Sequence, residues 1–335
     1  MNVNMKDRLV RLVRNNMPWF ILLVVAVIFS FSSSNFFSLQ NIINILNQNA
    51  YVIVCSIGIT FIMMAGQIDL SVGYQMSLIG VSLGILVKYF DPPVWVLLLA
   101  GILMGVVLCE LNMILAVKLR ITLLMVTVST SMLYQGISYT VSGSKTLSGF
   151  SDSFKFISQG YIGSIPFAVI LTLVLVVIMS IFLTKTYWGT YIYALGGNED
   201  AARLAGISVT AAKMMIGAIA GIFVGLSSIM LVARVGTAQS GVGPGTEFTV
   251  ITGILLGGVS ARGGEGRLSG GVAGILIMAI LGNGMQLGGW GVYLQYVAKG
   301  IIMLVAIGVD VYQYNHRKII VDKLPGAEEE SPVTQ

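Results

Sequence analysis

Long apolar stretches follow one another along almost the whole of this 335-residue chain, with few charges between them. Ten can be marked, at roughly 18–36, 50–65, 74–90, 93–117, 121–141, 164–184, 214–232, 248–260, 271–286 and 291–311. About 20 apolar residues in a helix cross the hydrocarbon core of a bilayer. Inside lipid only helices and closed barrels satisfy their own backbone, and runs of this length select the helix. Charged residues make up 10% of the chain, against about 25% in soluble domains. The chain therefore reads as an all-α integral membrane protein with about ten transmembrane helices, some short or broken.

The segments 50–65, 248–260 and 271–286 are shorter than a comfortable span, and glycine-rich or polar stretches adjoin all three. Glycine supplies 40 of the 335 residues. In membrane bundles small residues let helix backbones approach, and glycine breaks helices where a transport site is built. No sequence repeat stands out, but the interrupted segments 50–73 and 248–270 hold loosely corresponding places in the two halves.

Lysine and arginine set the expected orientation. With the N-terminus inside, 14 of the 19 basic residues fall in cytoplasmic segments, as the positive-inside rule demands. This divides the chain into a cytoplasmic segment 1–17, a membrane domain 18–311 with a cytoplasmic loop at 185–213, and a cytoplasmic tail 312–335. The N-terminal basic-then-apolar pattern is read as an uncleaved first span rather than a leader. The net charge of +5 reports this topology and not a nucleic-acid partner. Cys55 and Cys109 lie in apolar runs and the single histidine, His316, lies in the basic tail, so no metal-ligand or disulfide pattern is present.

Within the loop 185–213, "NEDAARLAGISV" carries the signals of a short helix. Asn198 is a good N-cap. Glu199 and Asp200 sit in the first turn and Arg203 near the end, each where the helix dipole favours its charge. Gly206 can take the left-handed conformation that stops a helix. Two turns are too few to stand alone in water, so the bilayer surface, the bundle or a partner must hold them. The chain has no phosphate-binding G-x-x-x-x-G-K-[ST] loop, so any ATP that drives it is hydrolysed by another chain.

The stretches "GQIDLSVG", "YIYALGGNEDAARLAGISV", "GILLGGVSARGGEGRLSGGVAGILIMAILGNGMQLGG" and "YLQYVAKGIIMLVAIGVD" occur in this order. From about residue 40 to 312 the chain resembles the permease subunits of bacterial ATP-binding-cassette sugar importers of the ribose, xylose and galactose type. The resemblance implies a permease dimer in the cytoplasmic membrane, a separate ATPase subunit and an extracytoplasmic sugar-binding protein. It also implies that Asn198, Glu199, Asp200, Arg203 and Gly206 couple the ATPase to the pore. No cofactor is then bound by this chain; ATP belongs to the partner.

The remaining polar residues are weighed against that background. Asp69, in "AGQIDLSVGYQ", interrupts an apolar stretch, where a charge is costly. It either caps the third span or, with Gln67 and Ser71, lines a hydrophilic path for a sugar, and the two roles are compatible. Gln295 and Lys299 share one face of the last span and belong to a structural network or to the same path. Arg262, Glu265 and Arg267 contact the ATPase or anchor their own loop. Glu110 reads as protein-facing or reaching toward the interface, and Tyr187, Trp188, Tyr191 and Tyr193 as an interfacial belt. Competing readings keep the machine but change its cargo to a nucleoside, a furanosyl signal or a branched-chain amino acid. A further one is an ion-coupled transporter built on Asp69, Glu110 and Lys299.

Overall fold

The computed structural model describes residues 16–31 and 36–322, with side chains as far as residue 312. In chain order the helices are α1 (Met17–Ser30), α2 (Leu39–Met64), α3 (Val72–Phe90), α4 (Val94–Leu119), α5 (Leu123–Ser142), α6 (Asp152–Gln159), α7 (Phe167–Lys185), α8 (Tyr187–Gly197), α9 (Glu199–Leu204), α10 (Val209–Val235), α11 (Thr246–Leu256), α12 (Leu268–Leu287) and α13 (Val292–Asp322). A minimal antiparallel hairpin, β1 (Tyr161–Ile162) with β2 (Ile165–Pro166), lies between α6 and α7. Each of the ten expected spans overlaps a helix among the described residues. Seven of these, α2, α3, α4, α7, α10, α12 and α13, are long and apolar enough to cross a membrane. The chain is a multi-pass membrane protein. Of the other three, α1 and α11 are short, with 14 and 11 residues, and α5 carries more polar residues.

Two expectations of short spans are corrected. The segment 50–65 is the second half of the 26-residue α2, and 271–286 is the core of the 20-residue α12. The start of α2 was obscured by its amides, "LQNIINILNQN", which dilute hydropathy without breaking a helix. Ser38 caps it by accepting from the Asn41 N–H, and Asn41 exchanges paired amide bonds with Asn283 of α12 at 2.9 and 3.0 Å. The short segment 248–260 is α11, about 17 Å long, roughly half the hydrocarbon thickness. The tail expected from residue 312 begins as helix, since α13 continues to Asp322. Residues 1–15 of the N-terminal segment and 323–335 of the tail lie outside the described residues.

At the centre, α2 and α10 run antiparallel. The Arg234 guanidinium donates to the Gln48 carbonyl, Ser227 Oγ donates to the Tyr51 carbonyl at 2.7 Å, and Gly58 packs on Ala220. Both helices are buried over most of their inner lengths. On α10 lies α4, also antiparallel, with Gly101, Gly105 and Glu110 beside Gly225, Gly221 and Gly217 in turn. A Cβ at Gly105 would strike the backbone of α10 and one at Gly221 the backbone of α4, so only glycine allows this approach.

The same layout recurs upside down. Leaving α2, the chain is non-helical over 65–71, then forms α3, then α4, which packs on α10. Leaving α10, it passes through turns over 236–245, then forms α11, then α12, which packs on α2 through Thr60 and Gly271. The two breaks enter the bundle from opposite faces. The second runs down α3 from Ala238 beside Gly84, through Ser240 bonded to Ser77, to Gly243 against Gly73. A Cβ at Gly73 would collide with the Glu247 carboxylate and the Gly243 carbonyl. The face holding 186–208 is termed the basic face below, and the face holding 143–166 the opposite face.

Candidate functional site

Each break ends on a buried acid. Asp69, 1% exposed, accepts from the Ser71 N–H (2.7 Å) and the Ser71 hydroxyl (2.6 Å) at the start of α3. The N-cap residue of α3 is Ser71, which makes no side-chain cap bond, so Asp69 is not the cap itself but holds the backbone amide of the cap residue from two positions before it. Glu247, also 1% exposed, folds back in the first turn of α11 and accepts from the Gly245 N–H at 2.9 and 3.0 Å.

Around Asp69 the polar groups close on one another. Gln75 Nε2 donates to Ser71 Oγ (2.7 Å) and lies 3.4 Å from Asp69 Oδ2. Asn112 of α4 donates to Ser71 Oγ at 2.9 Å and accepts from the Tyr134 hydroxyl of α5 at 2.8 Å. The Cys109 thiol donates to Gln75 Oε1, and the Leu70 N–H donates to Thr127 Oγ1. This network ties α3, α4 and α5 to the break. Ser71, Gln75 and Asn112 are fully buried, so within one chain Asp69 and Ser71 face the bundle interior, while Gln67 is half-buried. Toward the opposite face a second hydroxyl chain joins α3, α5 and the other break. In it Ser77 contacts Ser138 (3.1 Å) and Ser142 contacts Ser240 (2.8 Å).

On the basic face, α9 occurs where the sequence places it. Asn198 Oδ1 accepts from the Ala201 N–H at 2.9 Å, and Gly206 takes φ +86° just beyond the helix. Arg203 pairs with Glu199 (3.1 Å) and Asp200 (2.9 Å), and Glu199 also holds Lys213 of α10 at 2.7 Å. Glu199 thus pins the little helix to the long one. Leu204 stands 90% exposed at its end. Sequence reasoning missed Lys213, counted there only as an inside charge, and Glu247, whose place after "GPG" and before an apolar run was the available signal.

The loop 257–267 is knitted into the same face. The Gly264 N–H donates to the Met64 carbonyl (2.8 Å), the Tyr193 hydroxyl to the Gly266 carbonyl (2.9 Å), and the Ala261 N–H to Asp310 (3.3 Å). Arg267 is the N-cap residue of α12, and Arg262 and Glu265 lie in the loop between. Tyr187, Trp188 and Tyr191 pack on one another, with centroids 5.1–5.7 Å apart. Gln295 donates to the Trp290 carbonyl at 3.1 Å, and Lys299 is half-buried with no hydrogen bond or ion pair to the described residues. The structure does not bring these two to Asp69. Both carboxylate oxygens of Glu110 are buried without a hydrogen-bond partner.

Residues 41–307 match the family described as branched-chain amino acid transport system / permease component. The chain belongs to this family. Among curated relatives of this permease, the ribose import permease protein RbsC of Bacillus subtilis is 34% identical over 88% of the chain and 91% of its own length. The galactose/methyl galactoside import permease protein MglC of Escherichia coli is 29% identical over 89% and 94%. The L-arabinose transport system permease protein AraH of Escherichia coli is 32% identical over 78% and 80%. No solved structure matches the permease.

Proposed function

We propose that this permease is the membrane subunit of an ATP-binding-cassette importer that carries a monosaccharide across the bacterial cytoplasmic membrane. Ten spans would place both termini and the basic face in the cytoplasm. A second permease chain, identical or related, would complete the path. A separate ATPase would hydrolyse the ATP, and an extracytoplasmic sugar-binding protein would deliver cargo to the opposite face. The permease forms no covalent bond and holds no cofactor.

The observation that carries this reading is α9. A six-residue helix cannot persist alone. Here it is capped, ion-paired to α10 through Glu199 and Lys213, and turned so that Leu204 projects outward. A rigid knob fixed to the longest central helix can pass a push from an ATPase directly to the bundle. Asn198, Glu199, Asp200, Arg203 and Gly206 build and hold the knob. Arg262, Glu265 and Arg267, on the loop that meets α8, are proposed to flank the same docking site.

At the two breaks, Asp69, Ser71 and Glu247 would set the geometry of the broken helices beside the path. Gln67, Gln295 and Lys299 remain as candidates to meet cargo where two chains join. The deciding experiment is purification of the tagged permease in mild detergent, with co-purifying chains identified, followed by reconstitution and uptake of labelled ribose, galactose, arabinose and leucine. ATP-dependent uptake of a sugar supports the reading, and uptake of leucine alone replaces the cargo. A second reading, ion-coupled transport, draws on the unpaired buried carboxylate of Glu110. Gradient-driven uptake by vesicles that lack any ATPase would select it.

A further inference from the structure

The end of α2 nearest the opposite face carries amides where a lipid-facing helix would carry leucines. Gln40, Asn44, Asn47 and Gln48 fall at spacings that return to one side of a helix. About 20 residues counted back from Met64 reach Ile45 and fill the hydrocarbon thickness. Gln40 and Asn44 therefore stand at the membrane boundary, and Asn47 and Gln48 lie within it.

Amides inside a membrane face protein or water rather than lipid, yet these are not consumed within the chain. Gln40 and Gln48 are exposed, and Asn44 and Asn47 are half-buried. Gln40 Nε2 donates to Asn44 Oδ1 at 3.3 Å. Gln48 gives its backbone carbonyl to the Arg234 guanidinium, which leaves its side chain for other partners. Asn47 Oδ1 is buried with no hydrogen-bond partner among the described residues, and a buried acceptor of that kind is ordinarily met by water or a ligand. One turn deeper on the same side, Tyr51 gives its backbone carbonyl to Ser227 of α10. The stripe thus runs from the opposite face into the membrane, alongside α10.

A primary amide offers two donors and an acceptor, which matches a hydroxyl that both gives and takes a hydrogen bond. We propose that Gln40, Asn44, Asn47 and Gln48, backed by Arg234, line the outer mouth of the permeation path and hold a polyhydroxylated solute. This rests on the sugar-permease reading above.

The test uses the full transporter in intact cells. Cys55 and Cys109 are both buried, so background labelling is low. Asn44→Cys and Gln48→Cys are expected to react with a charged, membrane-impermeant maleimide, and millimolar ribose or galactose should slow the reaction at least about threefold. Val177→Cys, half-exposed on the lipid side of α7, should not react. Asn47→Leu with Gln48→Leu should lower sugar uptake about tenfold at equal membrane content, and Gln48→Ala by a smaller factor. A Gln48→Cys thiol as silent as that of Val177→Cys overturns the inference, and so does wild-type uptake by the double-leucine variant. A wild-type transporter that moves none of the sugars overturns the sugar reading instead, and the maleimide reaction alone then decides the stripe.

Discussion

Asp69 and Glu247 do the same work at two places. Each is a buried acid that supplies an acceptor to a helix start inside the bundle, where water cannot. Asp69→Asn keeps an oxygen for the Ser71 N–H, whereas Asp69→Ala leaves that N–H and the Ser71 hydroxyl proton without their acceptor. Bonds to charged groups contribute about 1.5–3 kcal/mol each. The alanine variant should therefore lose several degrees of melting temperature in detergent and about tenfold in uptake, with the asparagine variant between it and wild type. Equal, near-normal uptake by both would remove Asp69 from the site. Asp69 was legible in the sequence because a lone acid in an apolar run has few tolerable environments. Glu247 was not, because its neighbours "GPGT" read as an ordinary turn, and only its contact with Gly73 reveals that the turn lies beside a membrane helix. Asn112 and Tyr134, which extend the network from Ser71 to α4 and α5, are 43 and 65 positions along the chain from Asp69, beyond the reach of local pattern.

Among the elements, α9 was legible almost residue by residue, because caps and helix-dipole charges act within one turn and need no tertiary information. Asn198→Ala removes the bond to the Ala201 N–H, worth about 1 kcal/mol at such a position. It should weaken ATPase co-purification about fivefold without changing the melting temperature of the bundle. Leu204→Glu should abolish co-purification with the same unchanged melting temperature, since that side chain touches little of its own chain. An undiminished ATPase band in the Leu204→Glu sample would show that the partner docks elsewhere. The start of α2 was hidden because hydropathy scores amides as loop-like, while a bundle can satisfy them across helices, as Asn41 and Asn283 do. The contact between α4 and α10 is a third kind of element: backbone lies on backbone at Gly105 and Gly221. Gly105→Leu should prevent folding outright, read as loss of the monodisperse peak in size-exclusion chromatography, while Gly136→Leu, with open space around its α-carbon, should fold.

For the whole molecule, hydropathy and charge were enough to establish a multi-pass helical protein, but not the relation between its halves. An inverted arrangement leaves no trace in an alignment of the halves when only geometry repeats. Here α3 has 19 residues and its counterpart α11 has 11, and the breaks before them share no motif. In the proposed dimer α5 and α13 would face the second chain, and cross-linking between cysteines placed at Met132 or Leu304, both more than 70% exposed, should then give a dimer band in native membranes.

The unequal halves have one more consequence. If each half took the other's conformation, the result would be a different arrangement of the same sequence, with the short helix entering the bundle from the other face. The contrast between a full-length α3 and a truncated α11 thus drafts a second arrangement that can be tested. Distances measured by paired spin labels across the two breaks, with and without ATP, can be laid directly against that draft.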